Sequence, residues 1–271
     1  MNKSNKLTLL AIIAISVGGC KVEPIQNLPD RKYELVWSDE FEGDSGVNPN
    51  ALKWTYDIGT GQNGWGNNEL QSYTNNPQNV SLDGTGNLVI SALKSNSGNY
   101  TSARIKTEGL FAHQFGRIEA RIKTPTGSGI WPAFWMLGAD FKDVGWPQCG
   151  EIDIMEQKGK FSNITYGSIH GPGYAGGQAI TTPYGLKDNR FDADFNVYAV
   201  EWGANYIDFF VNNYLYKRVT PSDVTGEWVF NKPFFIILNI AVGGNFVGPP
   251  NINTPFPSSM YIDFVRVYKE I

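Results

Sequence analysis

The sequence predicts an all-β domain in which short antiparallel strands pack as a sandwich or jelly roll. Three observations lead there. Aromatic residues make up 14% of the chain beside 30 glycines, a balance that suits short strands and frequent turns. Stretches of period-two alternation recur between turn signals along most of the chain. No segment carries an amphipathic pattern long enough for a three-turn helix. With 271 residues, 41% of them hydrophobic, and neither a repeat nor a low-complexity block, the chain fits a single domain after its leader.

The chain opens with Lys3 and Lys6, continues as an apolar run from Leu7 to Val17 and then reads Gly18-Gly19-Cys20. A charged start, an apolar stretch too short for a bilayer and small residues at its end predict a signal peptide over 1–19. The placement of Cys20 resembles the lipobox of bacterial lipoproteins, with Val17 where leucine is usual. That resemblance implies export, a lipid anchor at Cys20 and a place in the cell envelope, at the outer membrane or cell surface. An ordinary cleaved signal and secretion is the alternative. Residues 20–32, with Pro24 and Pro29, read as a tether, and 33–271 as the folded domain. Cys149 is the other cysteine, so an acylated Cys20 leaves no internal disulfide. Cys149 reads as a small packing residue.

Strands follow from Tyr33 onward. Residues 87–94 form one after the turn Asp83-Gly84-Thr85-Gly86. In 115–123, Ile118, Ala120 and Ile122 alternate with Arg117, Glu119, Arg121 and Lys123, the pattern of a half-buried strand. Residues 206–211 and 214–219 flank Asn212-Asn213, which tolerate the positive φ of a hairpin turn. Residues 234–242 and 260–268 complete the set.

Several chemistries are excluded. A net charge of −4 without a basic stripe does not suit nucleic acid. There is no nucleophile elbow, and two histidines leave few routes to a Ser/His/Asp triad. Residues 59–64 match G-x-G-x-x-G but lack the following helix that a dinucleotide site needs, so they read as a loop.

The informative segment is Glu151-Ile152-Asp153-Ile154-Met155-Glu156. Strict alternation puts Glu151 and Asp153 on one face but Glu156 on the isoleucine face, buried without a partner. A β-bulge near Ile154–Met155 removes the conflict and returns Glu156 to its fellow acids. Acids crowded on one face repel and push their pKa values apart, the condition for a nucleophile and a general acid flanking one bond. Double displacement at a sugar needs the two carboxyls about 5–5.5 Å apart. A solvent-facing acidic strand is the alternative.

Upstream, Trp131, Ala133 and Trp135 share one face of Gly129–Leu137. Flat indoles near carboxylates suit sugar stacking; burial in the core is the other explanation. His170, after Gly167-Ser168-Ile169, reads equally as a substrate contact or a surface-loop histidine.

These residues resemble glycoside hydrolase family 16, laminarinase-like members above all. Residues 151–156 are similar to its E-x-D-x-x-E motif, with further similarity at Trp37–Phe41, 64–70, 129–136 and 239–244. The resemblance implies a β-jelly roll of two antiparallel sheets with a concave substrate cleft. It implies Glu151 as nucleophile, Glu156 as acid/base and Asp153 as the group tuning them. Trp131 and Trp135 would stack on sugars, while Asn68, Arg104 and His170 would make polar contacts. The implied substrate is the polysaccharide β-1,3-glucan, often with mixed β-1,3-1,4-glucan beside it, cut internally by a monomer that needs no catalytic cofactor. A structural calcium is implied at the Glu40 and Gly86 carbonyls and Asp263, where hard oxygen donors suit that ion. A marine galactan as substrate, or a glucan-binding protein without catalysis, remain alternatives.

Overall fold

The computed structural model describes residues 30–271. The expected signal peptide and the anchor residue Cys20 lie outside the described residues. No helix among those described is long and apolar enough to cross a membrane.

Two sheets face each other. In spatial order, the first runs Ile180–Gly185, Ile164–His170, Glu151–Glu156, Ile130–Gly138, Phe234–Val242, Arg104–Lys106, Thr55–Asp57. The second, ten-stranded sheet is centred on Asn196–Gly203, Gly116–Lys123, Ser258–Glu270 and Leu88–Lys94. Nearly all pairings are antiparallel; Gln71–Tyr73 lies parallel to Tyr100–Ser102. The one α-helix among the described residues is the single turn Phe141–Val144.

The alternation read from sequence explains why these strands pair as they do. Ile118, Ala120 and Ile122 point inward against Ile152, Phe134, Leu238 and Trp202 in one continuous core. On the outer face Arg117 bridges Glu119 and Glu201. Phe234–Val242 is buried along its whole length, because one face meets the core and the other forms the floor of the concave side. The hairpin at Asn212-Asn213 has φ of 48° and 64°, the left-handed pair that a type I′ turn demands.

One boundary differs from expectation. Arg31, assigned above to the tether, donates to Glu201 (2.8 Å) and to the fully buried Asp208 (3.2 Å). Arg117 and Arg218 hold the same two acids, so Arg31 joins a charge network on the packed domain.

Candidate active site

The acidic strand Glu151–Glu156 sits within the concave sheet. Against Ile130–Gly138, Glu151 pairs with Leu137, Asp153 with Trp135, Met155 with Phe134 and Glu156 with Ala133. Against Ile164–His170, Asp153 pairs with Ser168 and Glu156 with Tyr166. Both registers skip Ile154, which is therefore the extra residue of a bulge. Ile152, Ile154 and Met155 go into the core, while Glu151, Asp153 and Glu156 all face the cleft. The conflict seen in the alternation is resolved at the position it predicted.

Each acid is held differently. Trp146 donates its indole N–H to Glu151 Oε2 at 2.8 Å, and Trp131 donates to Glu156 Oε1 at 2.9 Å. His170 Nε2 lies 3.0 Å from Asp153 Oδ2 and 3.7 Å from Glu151 Oε1. The backbone N–H of Gly176 donates to His170 Nδ1 at 3.0 Å. With that nitrogen as acceptor, the neutral ring carries its proton on Nε2, the nitrogen nearer the acids. His170 ends a strand and lines the cleft, so the surface-loop alternative is ruled out.

Burial and mutual repulsion set the charges. Glu156 is pushed up to about 7, chiefly by burial, with Glu151 adding to the rise while His170, Trp131 and Ser168 oppose it. Asp153 is raised well above the usual carboxylate range, by burial first and then by Glu151 and Glu156. Burial alone would lower His170, but the surrounding carboxylates outweigh it and carry the imidazole up to about 10. The Gly176 amide works against that second proton, since it needs a lone pair on Nδ1. Glu156 therefore keeps a proton near neutrality in a site that also holds a second glutamate.

Glu151, Asp153 and His170 bring ligand-type atoms within 4.8 Å of one another, a spacing a cation could use. The imidazole already fills the charge-balancing position between the two acids. The calcium donors implied by resemblance fit less well. Of the Glu40 and Gly86 carbonyls and Asp263, the one side-chain donor, Asp263 Oδ2, is engaged by Arg121 at 2.6 Å. A cation arriving at Asp263 meets a guanidinium already in place, so this set is not a preformed calcium cage.

The cleft has a volume of about 1050 Å³, at or above the upper end for drug-sized pockets (~300–1,000 Å³) and suited to an oligomer. Trp131 and Trp135 both line it, as the alternation predicted. Trp135 donates to Asn239 Oδ1 (2.8 Å), Asn239 to the Tyr73 hydroxyl (3.1 Å), and Tyr73 to Glu69 (3.3 Å). Arg104 lines the wall with its guanidinium 4.1 Å from the centre of the Trp65 ring and its Nε on Asp57 at 2.6 Å.

Asn68 departs from expectation. It is not among the lining residues; with φ of +56° its amide donates to the cleft-lining Asn245 at 3.0 Å. Its neighbours Asn67 and Glu69 line the cleft instead. Sequence reasoning also missed Trp65, Trp146, Ser168, Asn239 and Phe246, all in the cleft wall. For Trp65 the signal was there in the glycine-dense loop 59–66 before it; Ser168 was signalled by its period-two relation to His170.

Residues 66–264 match the family described as glycosyl hydrolases family 16. The chain is 40% identical over 251 residues to a beta-glucanase of Rhodothermus marinus, covering 88% of this chain and 85% of that one. It is 37% identical over 271 residues to the clotting factor G alpha subunit of Tachypleus tridentatus, covering 97% of this chain but spanning only 38% of that much longer protein. Among solved structures, the endo-beta-1,3-glucanase of Pyrococcus furiosus superposes with a TM-score of 0.84 at 44% identity, covering 89% of this chain and 96% of the other. Sequence, fold and the bulged acidic strand agree: this chain belongs to glycosyl hydrolase family 16.

Proposed function

We propose that the protein is a retaining endo-hydrolase of β-1,3-glucan, with mixed β-1,3-1,4-glucan as a second substrate. The observation that carries this is the trio on one cleft face, with Glu156 protonated up to about pH 7 directly opposite the indole-lined wall. Similarity to glucanases along most of their length supports the choice of polymer.

The chemistry follows from the positions. A glucan chain lies across the concave sheet, its rings stacked on Trp131 and Trp135. Glu156 gives its proton to the glycosidic oxygen as the C1–O bond breaks, and a Glu151 oxygen bonds to C1 from the opposite side. Glu156, now a carboxylate, takes a proton from water as that water's oxygen attacks C1 and the electron pair returns to Glu151. Asp153 and His170 keep the local charge balanced while the Glu151 charge is lost and regained. An open cleft of this size admits internal segments of a polymer, hence endo cleavage.

The test is reducing-sugar release by the folded domain on laminarin, lichenan and agarose in parallel, with proton NMR of the first product anomer. Release from laminarin with the β-anomer appearing first supports the proposal. Release from agarose alone, an α-anomer first, or binding without release in a folded sample overturns it. Export, anchoring through Cys20 and action as a monomer belong to the same proposal. Metabolic labelling with a radioactive fatty acid, lost in Cys20→Ser, checks the anchor.

A further inference from the structure

We infer that Trp146 is a positioning residue that assigns different tasks to the two oxygens of Glu151, with its largest effect on the second half of the reaction. The inference rests on the double displacement proposed above. Three observations carry it. The Trp146 N–H is 2.8 Å from Oε2, whereas Oε1 has only the longer approach of His170 Nε2 at 3.7 Å. The indole is held in place: its ring centre is 6.0 Å from that of His170, and its far edge sits over Gly176, where an added Cβ would come within 4.0 Å of it. Finally, Trp146 is 45% exposed, so its presence over the cleft is not explained by core packing.

Oε1 is thus the oxygen free to attack C1. When the C1–Oε1 bond forms and the glycosidic bond breaks, Oε2 becomes the carbonyl oxygen of a glycosyl ester, still facing the indole donor. A hydrogen bond to a charged acceptor is stronger than one to a neutral carbonyl. It therefore weakens while the ester forms and strengthens while the ester is cleaved. During cleavage, water oxygen bonds to C1, its proton goes to Glu156, and the electron pair of the breaking C1–Oε1 bond returns to the carboxylate. The donor stabilises that returning charge. Removing it should slow ester hydrolysis while leaving ester formation nearly unchanged or slightly faster.

The experiment compares wild type with Trp146→Phe on dinitrophenyl β-laminaribioside, whose good leaving group makes ester formation fast. We expect kcat to fall about ten- to hundredfold. KM should fall in parallel, kcat/KM should hold within about threefold, and a burst of dinitrophenol equal to the enzyme should appear. Intact-protein mass spectrometry should show the glycosyl adduct on the variant, lost when Glu151→Gln is added. If Trp146→Phe folds poorly, benzothienylalanine at position 146 keeps the bicyclic ring and removes only the donor. A kcat within twofold of wild type, or a fall confined to kcat/KM without adduct, overturns the inference. A wild type silent on both the aryl glycoside and laminarin overturns the proposed function and this inference together; equal rates in an active pair overturn the inference alone.

Discussion

Deleting Ile154 tests whether the bulge, rather than the motif's spelling, is what brings Glu156 to the cleft. Against Ile130–Gly138 the register breaks only at this residue, Asp153 meeting Trp135 and Met155 meeting Phe134; against Ile164–His170, Ile154 and Met155 together stand opposite Gly167, between the pairs Asp153–Ser168 and Glu156–Tyr166. Without Ile154 the strand reads Glu-Ile-Asp-Met-Glu, and plain alternation places all three acids on the cleft face. The cost is in the core. Ile154 is 1% exposed, and truncating such a side chain costs about 2–5 kcal/mol. Met155 already lies in the core beside Ile154 and fills part of the vacated space, so the lower part of that range, ~2–3 kcal/mol, is expected. At about 2–4 °C per kcal/mol for a domain of this size, Tm should drop by roughly 5–10 °C. Misplacing a reacting group by about 1 Å can cost 10²-fold, so some activity is lost. The general acid alone is worth about 10²–10⁴-fold. The deletion variant should therefore release reducing sugar from laminarin well above Glu156→Gln, though below wild type. Ile154→Ala, which keeps the bulge, should lose stability while retaining near wild-type rate. A folded deletion variant no faster than Glu156→Gln would refute the reasoning.

Other expectations follow from the charges. Glu156 works protonated and is raised to about 7, so kcat/KM should fall as pH rises through that value. Trp131→Phe removes a hydrogen bond that favours the charged form, worth ~1.5–3 kcal/mol at a charged group, and should move this alkaline limb upward by about one to two units. An unmoved or lowered limb would count against Trp131 as the tuning donor. Glu156→Gln should be more stable than wild type at pH 8 but not at pH 4. The folded state binds the Glu156 proton more tightly than the unfolded chain, so wild type loses stability between its ordinary 4.5 and about 7. The shift is worth at most ~3 kcal/mol. Equal melting curves at pH 8 would contradict a raised Glu156.

The fold and the acidic trio of the cleft were legible because both depend on local pattern. A charged residue on an isoleucine face is a contradiction within six positions, and a bulge is its short-range solution. The alternation of Trp131, Ala133 and Trp135 was equally local. What could not be read depends on how strands far apart in the chain align. His170 reaches the acids because its strand's register sets it opposite Glu151, and no property of residues 167–171 fixes that register. Trp146 comes from the loop beyond the single helical turn Phe141–Val144, and its aim is set by tertiary packing. Asn68 stands behind Asn245 rather than in the wall for a different reason. In the turn Gly64–Asn68, Asn63, Trp65 and Asn68 all have positive φ, so neither the strand nor the helix period says which side chain faces the ligand. The glycines flagged an unusual backbone without giving its direction.

The cleft tryptophans show how this scaffold couples substrate to chemistry. Trp131, Trp135 and Trp146 each direct the indole N–H to a side-chain oxygen, on Glu156, Asn239 and Glu151 respectively. An edge held by a hydrogen bond fixes the plane of the ring, so the face offered to a sugar is set before binding and little rotamer entropy remains to be lost. For Trp131 and Trp146 that hydrogen bond ends on the carboxylates proposed to react. A sugar that shifts either ring therefore also shifts the donor on Glu156 or Glu151, and a ring that does not fit disturbs the acid's proton and the nucleophile's aim together. Selection among glucans then acts on the rate of bond cleavage more than on affinity. Poor substrates should show it as a reduced kcat even where they bind, because the stacking surface and the proton donor's hydrogen bond belong to one rigid side chain.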